Sequence, residues 1–149
     1  MSVKSQENNM RRLAALLEQE LSPLYGDREC GPNGNKATFL HVGKVFLRAL
    51  AKDLGLRDVR VMSNAGGIAV SGECYLYGLW EDSGIHIGLS QFCGSKDVLL
   101  YRTIRTLNDH KGGYNHYITR RELETCSYQE LLNTLSAVRK DTVGYGWAA

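Results

Sequence analysis

The stretch that decides the fold runs from Ile68 to Phe92, "IAVSGECYLYGLWEDSGIHIGLSQF". Apolar and polar residues alternate along it with a period of two, which is the period of a strand sending successive side chains to opposite faces. In the first half Ile68, Val70, Cys74 and Leu76 share one face, and Ala69, Ser71, Glu73, Tyr75 and Tyr77 share the other. In the second half Ile85, Ile87 and Leu89 point inward while His86, Gly88 and Ser90 point outward. Between them "EDSG" reads as a tight turn, with Gly84 available for a positive φ. Two half-buried strands joined so closely pair antiparallel. The product is a sheet with one apolar face and one face of tyrosine, histidine and small polar groups.

Working outward, "VRVMS" (59–63) is a further short strand, joined to the first by the turn "NAGG". Downstream, "CGSKD" turns the chain into "VLLYRTIRTL" (98–107), rich in residues that favour strands. The simplest arrangement is a four-stranded antiparallel meander. Its apolar face needs a cover, and three amphipathic helices supply it. In "SQENNMRRLAALLEQELSPLYG", Met10, Leu13, Ala14, Leu17 and Leu21 recur at helical spacing, with Ser5 as candidate N-cap and Pro23 beyond the end. In "KATFLHVGKVFLRALAKDLGL", Phe39, Leu40, Val42, Phe46, Leu47, Leu50 and Leu54 form a broad stripe that Gly55 stops, and His41 is a surface residue. In "SYQELLNTLSAVRK", Leu131, Leu132, Leu135 and Val138 form the stripe, Ser127 caps it, and Glu130 completes a capping box. The predicted architecture is a two-layer α+β domain of order α-α-β-β-β-β-α.

Composition sets the limits. The chain has 149 residues, 43% hydrophobic and 23% charged, the size and make-up of one globular domain. We read residues 1–149 as a single domain, with 141–149, "DTVGYGWAA", as a glycine-rich tail that is flexible unless Tyr145 and Trp147 dock on the domain or mediate self-association, docking being slightly favoured. "GDRECGPNGNK" is a loop too short for a domain linker. No run approaches the roughly 20 apolar residues of a membrane span, and the first residues lack a secretory h-region. A cytoplasmic setting follows, with no membrane partner. Cys30, Cys74, Cys93 and Cys126 form no C-x-x-C pair, so free thiols are expected rather than a zinc site, and no cofactor is called for.

The net charge of +2 makes the overall field weak, so a binding surface must be local. From Arg102 to Arg121 the chain carries Arg102, Arg105, Lys111, Arg120 and Arg121 against one acid, Asp109, with Tyr101, Tyr114 and Tyr117 interleaved. Cations beside rings suit an acidic protein surface or phosphates with unstacked bases. The same composition also describes a solvated edge that resists aggregation. The partner-binding candidates are Arg102, Arg105, Lys111, Tyr114, His116, Tyr117 and Arg120. Reversing Lys111 and Arg120 to Glu is expected to weaken such binding tenfold or more. The outward strand face, Glu73, Tyr75, Tyr77 and His86, is a second candidate surface, although aromatic residues also pair across strands for stability alone.

Within "LNDHKGGYNHYITRRE" (107–122) lie Asp109, His110 and His116, which supply acid–base groups. No nucleophile elbow or phosphate loop accompanies them, and a tight turn closed by Asn115 explains much of the segment without catalysis. "GGIAVSGECYLY" followed by "LYRTIRTLNDHKGGYNHYI" resembles small uncharacterised proteins of phages and integrated mobile elements. In these a Gly-Ile-Ala-Val-Ser-Gly strand precedes a Tyr-Arg strand end and an Asp-x-x-Gly-Gly-x-Asn turn. The matching residues are Gly67 to Gly72, Tyr101, Arg102, Asp109, Gly112, Gly113 and Asn115, about the central third of the chain. The resemblance implies a genomic setting rather than a reaction, and accessory proteins there often bind and block a host or defence protein. The leading expectation is therefore a non-enzymatic binding protein that inhibits or modulates a host or defence-system complex, nucleic-acid-associated complexes included. One alternative is a nucleic-acid-binding domain using the rim 101–121. Another is a small enzyme using Asp109 with His110 or His116.

Overall fold

The computed structural model describes residues 2–18, 35–65, 72–92, 96–109 and 113–139. Helix α1 (Val3–Glu18) and helix α2 (Asn35–Asp53) precede strands β1 (Arg57–Asn64), β2 (Glu73–Leu79), β3 (Gly84–Leu89), β4 (Asp97–Ile104) and β5 (His116–Thr119). Helices α3 (Arg120–Thr125) and α4 (Tyr128–Ser136) follow. The sheet is an antiparallel meander in the simple order β1-β2-β3-β4-β5. The predicted two-layer α+β layout holds, with two additions: β5 is a fifth strand inside the segment read as a turn, and α3 is a fourth helix immediately after it. Both are short, and β5, with four residues, is too brief to show a period.

Cross-strand register sorts the side chains. Leu76 faces Ile87, Ile87 faces Tyr101, and Tyr101 faces His116, all on the helix-covered side. Ile85, Ile87, Leu89, Leu99, Cys74 and Leu76 are fully buried there against Phe39, Phe46, Leu47 and Leu50 of α2 and Met10 and Leu13 of α1. Helix α2 lies tight on β2: a Cβ at Gly43 would meet Cys74 Sγ at 2.6 Å. That approach explains a glycine in a helix interior, where it costs helix propensity.

The ends of the elements follow from capping. The Ser5 amide donates to Ser2 Oγ at 3.1 Å, so Ser2 rather than Ser5 caps α1. At the end of α2, Leu56 N–H donates to Ala51 C=O and Gly55 N–H to Lys52 C=O, with Gly55 at φ +72°. This double bond pattern is the glycine stop that the sequence signalled. Ser127 Oγ accepts from the Glu130 amide at the start of α4. The box with both arms present lies instead at α3, between Thr119 and Glu122. Gly84 does not adopt positive φ. A Cβ there would sit 2.6 Å from Gly78 O and 2.9 Å from Ile104 Cγ1, so crowding selects the glycine.

The helices are tied together by a polar cluster. Tyr128 Oη donates to Asp53 Oδ2 at 2.6 Å, and the fully buried Gln6 donates to Tyr128 Oη and to Phe46 O. The Tyr128 amide donates to Glu7 Oε2. Three helices thus share one tyrosine. The calls on Leu21, Pro23, Cys30, Gly67, Ile68, Ala69, Val70, Ser71, Cys93, His110, Lys111, Gly112 and the tail 141–149 lie outside the described residues.

Candidate functional site

The sheet face turned away from the helices gathers the second predicted surface into one cluster. Tyr77 faces His86 and Tyr75 faces Gly88 across β2 and β3, and His86 faces Arg102 across β3 and β4. The Tyr77 and His86 rings stack at 4.4 Å between centroids with 20° between planes. Tyr75 packs edge-on to both, at 5.9 Å from Tyr77 and 6.4 Å from His86. Offset stacks and edge-to-face contacts are the favoured geometries for ring quadrupoles. Glu73 sits at the exposed start of β2, opposite Asn64.

His86 Nδ1 lies 3.1 Å from Leu76 O. A carbonyl only accepts, so the ring donates this bond from Nδ1–H. Burial raises the Tyr77 hydroxyl above the ordinary phenol range, with Tyr75 and Glu73 adding to it. The phenol is therefore neutral at physiological pH and presents a hydrogen-bond donor. Met62 on β1, 39% exposed, faces Tyr75, and Tyr117 on β5, 45% exposed, faces Leu100 on the same side. Phe92 meets Tyr117 edge-on at 6.0 Å. Aromatic and apolar groups thus extend from β1 to β5 across the open face.

The predicted rim is divided by the fold. Arg102 lies on the open face and reaches sideways: one terminal nitrogen donates to Gly113 O at 2.8 Å, the other to Asn115 Oδ1 at 3.2 Å. A Cβ at Gly113 would fall against Thr103 O, so the glycine permits the close run beside β4. The Tyr-Arg and Gly-x-Asn elements singled out in the sequence are therefore the two halves of a clasp. Arg105 pairs with Asp109 at 3.6 Å in the turn after β4. Arg120 pairs with Glu124 at 2.9 Å and with Glu18 at 3.7 Å, joining α3 to α1. The local excess of positive charge is therefore partly neutralised by acids close in space but, for Glu18 and Glu124, outside the rim in sequence.

His116 and Tyr117 alternate on β5, so they point to opposite faces. Tyr117 belongs to the open face. His116 stacks on Tyr101 at 5.1 Å on the helix-covered side, with the 62%-exposed Tyr114 edge-on at 6.3 Å. Asp109 is in the turn after β4 and His116 at the start of β5. His41 is exposed on α2, as expected. Among the described residues no three His, Cys, Asp or Glu side chains are grouped to hold a metal ion. Cys74 is buried, and burial pushes its thiol up to about 12. No helix among the described residues is long and apolar enough to cross a membrane.

Arg60, which faces Tyr77 from β1, and Met62, Leu100 and Phe92 escaped the sequence reading of this surface. Strand alternation could have placed Met62 and Leu100 on the open face, but the bulge between Arg57 and Arg60 hides the phase of β1.

Fold and face together define an open-faced α+β domain whose sheet side away from the helices carries a three-ring cluster and a separate Phe92–Tyr117 pair. No family model, curated protein or solved structure matches the chain.

Proposed function

We propose that the chain is a non-enzymatic binding protein that holds a protein partner on its open sheet face. The observation that carries this reading is the Tyr75–Tyr77–His86 cluster, with Tyr77 and His86 stacked at 4.4 Å. Rings held by their neighbours lose little side-chain freedom when a partner lands, and tyrosine offers both apolar area and a polar tip. Such residues are enriched among the anchors that dominate interface energies. The resemblance to phage and mobile-element proteins supplies the kind of partner: a host or defence-system protein, which the chain inhibits or modulates. The internal pairing of Arg102, Arg105 and Arg120 favours this face over the rim for the main contact.

The test is capture from a host-type lysate with nuclease present, using wild type, Tyr75→Ser/Tyr77→Ser and the distant exposed variant His41→Ala. One stoichiometric protein held by wild type and His41→Ala but lost from the double variant is the expected result. No protein held once nuclease is present, or a partner held equally by the double variant, would contradict the reading. Arg120→Glu is a poor probe, since it also breaks the pairs with Glu18 and Glu124.

A further inference from the structure

The outer side of α2 carries His41, Lys44, Arg48 and Lys52. At 3.6 residues per turn these four fall within roughly 80° of arc and span about 16 Å along the axis. His41, Arg48 and Lys52 are exposed and Lys44 is half-buried. The apolar side of α2 is committed to the core beneath it, so this stripe points away from the sheet. Among the described residues none of its three permanent cations makes an ion pair.

The reason is visible in the neighbouring acids. On the elements packed against α2, and on α2 itself, the described carboxylates are Glu7, Glu18, Asp53, Asp58 and Glu73. Glu7 accepts from the Tyr128 amide and Asp53 from the Tyr128 hydroxyl. Glu18 pairs with Arg120 and Asp58 with Arg57. Glu73 lies at the open-face end of β2. In a chain of net charge only +2, three cations on one helix face without a described counter-ion are a concentration rather than an average.

We propose that the outer face of α2 binds a nucleic-acid duplex through its phosphates. A straight row of cations fits a regular line of phosphates, and such contacts carry affinity without reading sequence. The stripe holds no tyrosine, phenylalanine or tryptophan, so it lacks the platform on which unstacked bases of a single strand sit. It also lacks the aromatic anchors of a protein interface, and its apolar residues are too deeply used in the core to enter a membrane. The proposal is independent of the aromatic face, which lies on the other side of the sheet. Together the two would let one molecule hold a protein partner and nearby nucleic acid at once.

The experiment is fluorescence anisotropy with a labelled 20-base-pair duplex and the matching single strand, titrated with the full chain across a salt series. Wild type should bind the duplex at low salt, with log K falling against log salt at a slope of about −3, three phosphates neutralised. Lys44→Gln/Arg48→Gln/Lys52→Gln should weaken binding at least tenfold and flatten the slope towards zero. The charge-matched control Lys4→Gln/Lys96→Gln/Arg121→Gln, at exposed positions outside both surfaces, should change neither by much. Thermal melts confirm folding, and if the half-buried Lys44 site does not tolerate change, Arg48→Gln/Lys52→Gln should lower the slope by about 2. No wild-type binding at the lowest salt, equal loss in both triple variants, or tighter single-strand binding that survives the stripe variant would overturn the proposal. Absence of duplex binding by wild type, with its protein capture intact, would sink this inference and leave the aromatic face standing.

Discussion

Tyr128 is the residue on which most of the helical layer converges. Its hydroxyl donates to Asp53 and accepts from Gln6, and both bonds disappear in Tyr128→Phe while the ring stays. Burial and the Asp53 bond together raise this hydroxyl well above the ordinary phenol range, so it remains a donor at all physiological pH. Losing a bond to a carboxylate should cost about 1.5–3 kcal/mol, read as a lower urea midpoint with unchanged slope. A midpoint equal to wild type would mean that the cluster follows from packing rather than holding it. A second residue-scale device pins the chain after α4. Arg139 donates to Asp82 at 3.0 Å and lies over the Trp80 ring at 5.0 Å, while Trp80 Nε1 donates to Leu54 O. The Arg139 bond holds the Asp82 carboxyl below its ordinary value of 3.8. A depressed carboxyl stabilises the fold fully above its unfolded value and loses that contribution as pH falls through the folded one. The melting temperatures of wild type and Asp82→Asn should therefore differ at pH 6, and the gap should narrow as pH falls below 3.8. A gap that does not narrow on acidification would place the effect outside this ion pair.

At the scale of elements, the meander was legible because β2 and β3 alternate cleanly over their whole length. The Schellman stop at Gly55 and the cap at Ser127 were legible for a similar reason: their signals are local. β5 was not, because His116–Thr119 pairs with β4 through a clasp between residues 11 and 13 positions apart. That spacing carries no period. Nor does sequence distinguish a glycine chosen for its backbone angle from one chosen for want of room. Gly84 and Gly88 make the distinction testable. A Cβ at Gly84 would collide with Gly78 O, whereas one at Gly88 meets nothing nearer than His86 Nε2 at 3.9 Å. Gly84→Ala should lose about 1–3 kcal/mol, and Gly88→Ala should lie within about 0.5 kcal/mol of wild type, by chemical denaturation. Arg102→Ala should open the clasp, and faster amide exchange at Tyr117 and Ile118 than in Arg105→Ala would show it. Equal exchange in the two variants would count against the clasp.

Across the whole molecule, charge counting along the chain and charge placement in space give different surfaces. The rim between Arg102 and Arg121 looked basic because Glu18 and Glu124, the acids that meet Arg120, stand outside it in sequence. The open-face tyrosines were legible from strand parity, but their stacking with His86 depends on register, which only the pairing of β2 with β3 fixes. His116 was assigned to the rim with Tyr117, and one residue of strand put them on opposite sides of the sheet. The molecule is two-sided, with rings on one side of the sheet and, on the other, the α2 cations that make no ion pair among the described residues. Its central claim is that the rings hold a protein. The most direct measurement is calorimetric titration of the captured partner against wild type and Tyr75→Ser/Tyr77→Ser, both checked for folding. The account predicts that the double variant binds at least a hundredfold more weakly, as the loss of two anchor residues implies. Affinities within twofold of each other would contradict it.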